Sequence, residues 1–152
     1  MATFERNVDT KLMTVIRKAA DFHGHLGPFL VIGVRMGLIG IRELGTKGND
    51  EELHVTAMVK PSVPFSCVVD GIQVATHCTI GNRKIRLRSS SSIAAKFELQ
   101  KEGQVTVRVN PATFGRLKNG LLAEESSPED VRKLVEIIAS MPEKELFIIE
   151  GK

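Results

Sequence analysis

The feature that most constrains this fold is the apolar run from Phe29 to Leu44. It reads as one helix, because Pro28 suits a first turn and Gly45 is a natural stop after the last. The run is apolar nearly all round, so it has to be buried. It is also too short, and too interrupted by Arg35 and Arg42, to span a bilayer. Gly33, Gly37 and Gly40 recur at i, i+4 and i+7 and leave a stripe without side chains. Another backbone, from the sheet or from a partner protomer, can come close along it. One small protomer does not easily cover such a helix, so a homodimer with a large apolar interface is expected.

The 152 residues are enough for a single domain with a sizeable core. The sequence has no Trp or Tyr, so the core must be aliphatic with seven Phe. A charged fraction of 26% and a net charge of +3 are those of an ordinary water-soluble domain. Arg83, Lys84, Arg86 and Arg88 alternate with Ile85 and Leu87, as on the solvated face of a strand. No aromatic side chains interleave with them to stack on bases, so no specific nucleic-acid partner is expected. Cys67 and Cys78 do not make a disulfide framework. The charged N-terminal stretch lacks the apolar segment of a signal peptide. A cytoplasmic protein without a membrane partner is the expectation.

Around the central helix, periodicity predicts helices over 8–22, 66–76, 111–122 and 127–140. Alternation predicts strands over 53–60, 80–88, 93–100, 104–109 and 146–149, with a hairpin turn at Glu102-Gly103. Helices mixed with antiparallel strands in this order give an α+β fold. The expected form is one domain over 1–152, with helices packed on an antiparallel sheet.

Two segments carry side chains suited to chemistry. In Phe22-His23-Gly24-His25-Leu26-Gly27-Pro28, two of the four histidines sit two residues apart on a Gly-rich turn before the buried helix. Imidazoles placed this way can act as nitrogen ligands or as acid and base groups. In the second segment, Ser66 can cap a helix that starts at Cys67. There the helix dipole and free N–H groups favour a thiolate. Asp70 follows three residues on, on the same face. A thiolate beside a carboxylate can ligate a metal, or the two can orient and activate one another. A continuous helix would separate Cys67 from Cys78 by about 16 Å, too far to share an ion within one protomer. Cys67 is the preferred ligand, with Cys78 and His77 in reserve.

Together the segments resemble the FmdE family, which takes its name from formylmethanofuran dehydrogenase. Its pattern is roughly HGHxCPG before a long apolar helix, then CxxDAIQxxTGCTxG. The matching stretches here are His23 to Phe29 and Cys67 to Gly81. The resemblance implies an α+β core in an intertwined dimer, and a cleft between the His-Gly-His turn and the Cys/Asp helix. Some relatives add a C-terminal zinc finger, and with no CxxC pair this chain resembles a core-only member. Gly27 stands where the family usually has cysteine, and Phe29 where it has glycine. Gly71 replaces alanine at a modest expected cost in stability. His77 replaces the glycine before Cys78 and offers a compensating imidazole.

The expected function is therefore metal binding. His23, His25 and Cys67 are the expected ligands, and Asp70 binds the ion directly or supports a ligand. Zinc suits these nitrogen and sulfur donors, and iron and nickel are the alternatives. The other reading is a non-enzymatic accessory or metal-sensing protein, docked on a molybdenum or tungsten redox enzyme such as formylmethanofuran dehydrogenase.

Overall fold

The computed structural model describes residues 8–47 and 50–151. Its elements, in chain order, are helix α1 (Thr10–His23), helix α2 (Pro28–Glu43), strand β1 (Leu53–Val59), helix α3 (Cys67–Thr76) and strand β2 (Ile85–Ser89). Strands β3 (Ala94–Leu99) and β4 (Gly103–Val109), helices α4 (Pro111–Leu121) and α5 (Pro128–Ser140), the short helix α6 (Glu143–Leu146) and strand β5 (Phe147–Gly151) complete the chain. The strands form one five-stranded sheet in the order β2-β1-β3-β4-β5.

The apolar run becomes the centre of the molecule. Eleven residues of α2 are buried, among them Leu30, Val31, Val34 and Met36. The helix packs on α3, α1, α5 and the inner face of β3 and β4. Strands β1, β3 and β4 turn Val55, Ala57, Ala95, Phe97, Val105 and Val107 into the same core. Their alternate residues His54, Lys96, Glu98 and Arg108 lie on the other face, as expected of a sheet covered on one side.

The glycine stripe is spent inside the chain, which removes the reason it gave for expecting a dimer. A Cβ on Gly33 would lie 2.0 Å from the Val68 carbonyl oxygen, and one on Gly37 would lie 2.6 Å from the Ala75 Cβ. A Cβ on Gly40 would run into the Phe97 ring at 2.5 Å. Gly71, on α3, meets α2 from the other side: its Cβ would be 2.3 Å from the Leu30 carbonyl oxygen. Gly71 is therefore needed for the close crossing of α2 and α3, and the modest penalty expected for it is corrected.

The sheet is mixed rather than purely antiparallel. β1 and β2 pair in parallel, with Val55 opposite Ile85, whereas β1–β3, β3–β4 and β4–β5 are antiparallel. The cause is α3, which lies between β1 and β2 in sequence and returns the chain to the same end of the sheet. β2 also starts later than expected. Asn82 accepts from the backbone N–H groups of Thr79 and Lys84, and its amide donates to the His77 carbonyl. That polar turn occupies 79–82 and delays the strand to Ile85. On this edge strand Ile85 is buried but Leu87 is 56% exposed.

Two arginines join the central helix to the C-terminal third. Arg35 donates to the carbonyls of Ile138 and Met141 at the end of α5, at 2.8 and 2.7 Å. Arg42 holds both oxygens of Glu143, at 2.6 and 2.9 Å. The charges that interrupt the apolar run are thus its ties to α5 and α6.

Candidate functional site

The turn between α1 and α2 is shaped by its glycines. Gly24 ends α1 in the left-handed region at φ 101°, and its N–H closes on the Ala20 carbonyl at 2.8 Å. Gly27 is extended and precedes Pro28 at the first turn of α2. His23 and His25 flank the left-handed glycine, with ring centroids 4.7 Å apart.

The first turn of α3 meets His23. The Nδ1 of His23 lies 2.6 Å from Oδ2 of Asp70. A carboxylate only accepts, so in that pairing Nδ1–H is the donor, and the ring's other nitrogen, Nε2, takes no part in it. That Nε2 is buried and has no hydrogen-bond partner. The other carboxylate oxygen of Asp70 accepts from the Gln73 amide at 3.2 Å, and the Gln73 carbonyl accepts from the Ile80 N–H at 2.8 Å. A chain of hydrogen bonds thus runs from the Ile80 backbone through Gln73 and Asp70 to His23. Gln73 was not among the residues expected from the sequence. Its signal was a glutamine three residues after the aspartate, on the same helical face.

Cys67 opens the same helix, but not in the expected state. Ser66 has helical backbone angles and makes no side-chain cap. The N–H groups of Cys67, Val68 and Val69 are taken by the carbonyls of Pro64, Phe65 and Ser66, at 3.1, 3.2 and 3.0 Å. The free amides that would favour a thiolate are therefore absent. Burial pushes the Cys67 thiol up from its ordinary value, and the Asp70 charge adds to the shift. Cys67 rests as a thiol.

The reserve residues lie at the far end of α3. Cys78 is 1% exposed, and its thiol donates to the Leu53 carbonyl. His77 ends the helix in the left-handed region and is exposed. Among the described residues, no three His, Cys, Asp or Glu side chains are gathered closely enough to hold a metal ion. What the chain brings together is two pairs that share His23, His23 with Asp70 and His23 beside His25. Gly27, where the family usually has cysteine, borders the same place: a Cβ there would lie 3.6 Å from Nε2 of His25. The donors therefore fit a metal in part. A carboxylate-held imidazole with a free buried nitrogen is what a histidine ligand needs, and the thiol that would sit nearest His25 is missing. Among the described residues, no helix is long and apolar enough to cross a membrane.

The chain is 31% identical over 143 residues to a probable S-adenosyl-L-methionine-binding protein of Archaeoglobus fulgidus. That match covers 87% of this chain and 39% of the relative, so the chain spans about two fifths of the relative's length. The fold is similar to the crystal structure of a tungsten formylmethanofuran dehydrogenase FmdE-like protein from Syntrophus aciditrophicus, with a TM-score of 0.64 and 19% identity. The superposition covers 93% of this chain and 71% of that one. The model of the family described as "FmdE, Molybdenum formylmethanofuran dehydrogenase operon" matches residues 22–148. That span holds the histidine turn, the central helix, the Cys/Asp helix and most of the sheet, and the chain belongs to the FmdE family.

Proposed function

We propose that this protein is an accessory protein of a molybdenum- or tungsten-dependent dehydrogenase, and that its working part is a transition-metal site on the His23 turn. The observation that carries the site is the buried, unpartnered Nε2 of His23, on a ring whose other nitrogen is fixed by Asp70. A buried polar atom without a partner is costly, and a metal ion would satisfy it. His25 is the proposed second ligand and Cys67 the proposed third; because the described residues do not gather the three around one point, binding would have to draw them together. Metal binding would take the proton from the Cys67 thiol, so affinity should rise with pH. Zinc is the proposed ion, and when bound it would supply a Lewis acid. Asp70 keeps the His23 tautomer, and Gln73 keeps Asp70. Association of two copies and a cytoplasmic setting belong to the same proposal and rest on the family resemblance, since α2 is covered within the chain.

The test is zinc content and affinity of untagged protein. The wild type should hold one ion per chain. Asp70→Asn should weaken zinc about ten- to a hundred-fold while the fold persists. A wild-type protein that takes up no zinc, iron or nickel would overturn the proposal, as would unchanged stoichiometry in the His23→Ala, His25→Ala double variant.

A further inference from the structure

A separate cleft of about 410 Å³ opens between one face of α1, the C-terminal half of α2 and the C-terminal end of α3. Its lining carries Lys11, Lys18, Lys47 and His77, and no carboxylate. None of the three lysines makes an ion pair among the described residues. Cations gathered on one concave wall without counter-charge focus a positive potential and attract an anion. The size is that of a small-molecule pocket.

The arrangement narrows the class of anion. Lys11, Val15, Lys18 and Phe22 fall at i, i+4, i+7 and i+11, so they form one stripe along α1. The stripe is about 16 Å long by helical rise. Phe22 is 61% exposed at one end of it. A wet aromatic ring gains from a flat partner, and a nucleobase stacks on such a ring whatever its sequence identity. Three lysines are more than a single carboxylate needs, but they match a chain of phosphates. A sulfonium nucleoside, being cationic, is disfavoured by the same lysines.

We propose that this cleft binds a nucleoside di- or triphosphate, with the base on Phe22 and the phosphates among Lys18, Lys11 and Lys47. Gln73 lines the cleft and also donates to Asp70. A bound nucleotide would therefore touch the residue that orients Asp70, and through it His23. The proposal stands without any metal in the histidine site.

The experiment is calorimetric titration of the full chain in EDTA with ATP, ADP, inorganic triphosphate and S-adenosyl-L-methionine. ATP should saturate one site per chain, and its affinity should fall as salt is raised. Lys18→Gln should weaken ATP about ten-fold. Phe22→Ala should weaken ATP about five-fold or more, yet leave inorganic triphosphate nearly unchanged. Both residues are exposed, and melting curves matching the wild type would confirm that the variants fold. Absence of saturable ATP binding would overturn the proposal. So would ATP binding that both substitutions leave intact, or tighter binding of S-adenosyl-L-methionine than of ATP.

Discussion

The crossing of α2 and α3 gives a prediction with a sign that can be checked against an internal control. Gly33→Ala places a methyl 2.0 Å from the Val68 carbonyl oxygen and 2.8 Å from its carbon, both rigid backbone. Real Cβ atoms do not come within 3.0 Å of such atoms, so the helices must part by about 1 Å. A gap of that size forfeits roughly a quarter to a half of the dispersion energy of each contact it opens. Overpacking of a tight core typically costs about 1–3 kcal/mol, occasionally more. The helix-propensity gain of Gly→Ala returns about 1 kcal/mol. Because the obstacle here is backbone rather than a flexible side chain, the cost should lie at the top of that range or above it, and we expect a net loss of about 2 kcal/mol or more. Gly115, in α4, has nothing within 4 Å of its would-be Cβ. Gly115→Ala should therefore stabilise, by about 0.5–1 kcal/mol. With no Trp or Tyr in the sequence, urea unfolding is best followed by far-ultraviolet circular dichroism. Gly71→Ala attacks the same crossing at 2.3 Å from the Leu30 carbonyl oxygen. The double variant should lose less than the sum of the singles, since parted helices accept the second methyl more easily. Stability of Gly33→Ala within about 0.5 kcal/mol of wild type would refute the reasoning.

Other expectations follow from the same contacts. Gly27→Cys adds a thiol beside the Nε2 of His25 at an extended position any residue can adopt, and it should tighten zinc in chelator competition. Cys67, whose thiol is held up by burial and by Asp70, should alkylate more slowly than a free thiol at neutral pH, and Asp70→Asn should speed it. Cys78 should react only in unfolded protein. Glu143 is held below the usual carboxylate range, first by its hydrogen bond to Arg42. Its contribution to stability is thus present above the unfolded value of about 4.3 and is lost as pH falls through the folded value. Both partners are partly solvated, so Glu143→Gln should cost no more than about 1 kcal/mol at neutral pH. It should match the wild type once Glu143 is protonated. A deficit that persists in acid would assign the effect to packing. Any binding to DNA through Arg86 and Arg88 should disappear at moderate salt, which filter binding would show.

What the sequence revealed and what it hid have physical causes. The apolar run could only be a buried helix, because its pattern leaves no face for water. What it packs against was not legible. The stripe of Gly33, Gly37 and Gly40 fits a sheet, a helix or a partner equally well, and the fold divides it: Gly33 and Gly37 meet α3, whereas Gly40 meets Phe97 of the sheet. The parallel pairing of β1 with β2 was hidden because strand order is a property of the whole chain. Local alternation reports faces, not neighbours. The turn at 79–82 was hidden because Ile80 and the residues after it alternate plausibly, while Asn82 spends its hydrogen bonds on holding a turn.

The chemistry of the site divides along the same line. The contact of His23 with Asp70 was legible through the family resemblance, which places the histidine turn against the Cys/Asp helix; the spacing marks each residue but does not bring them together. Properties set by the backbone around them were not. Whether Cys67 rests as a thiol or a thiolate depends on where three N–H groups point, and the turn from Pro64 to Ser66 takes all three. That use of the amides fixes the entry of α3 at the crossing with α2. The glycines that let α2 and α3 touch, the turn that neutralises the amides at Cys67 and the 2.6 Å contact of Asp70 with His23 are thus parts of one packing arrangement. A change that parts the helices should loosen the His23–Asp70 contact before it unfolds the sheet. Gly33→Ala should then lower zinc affinity under conditions where its far-ultraviolet spectrum is still native. Wild-type zinc affinity in a folded but destabilised Gly33→Ala would show that the histidine turn is organised independently of the crossing.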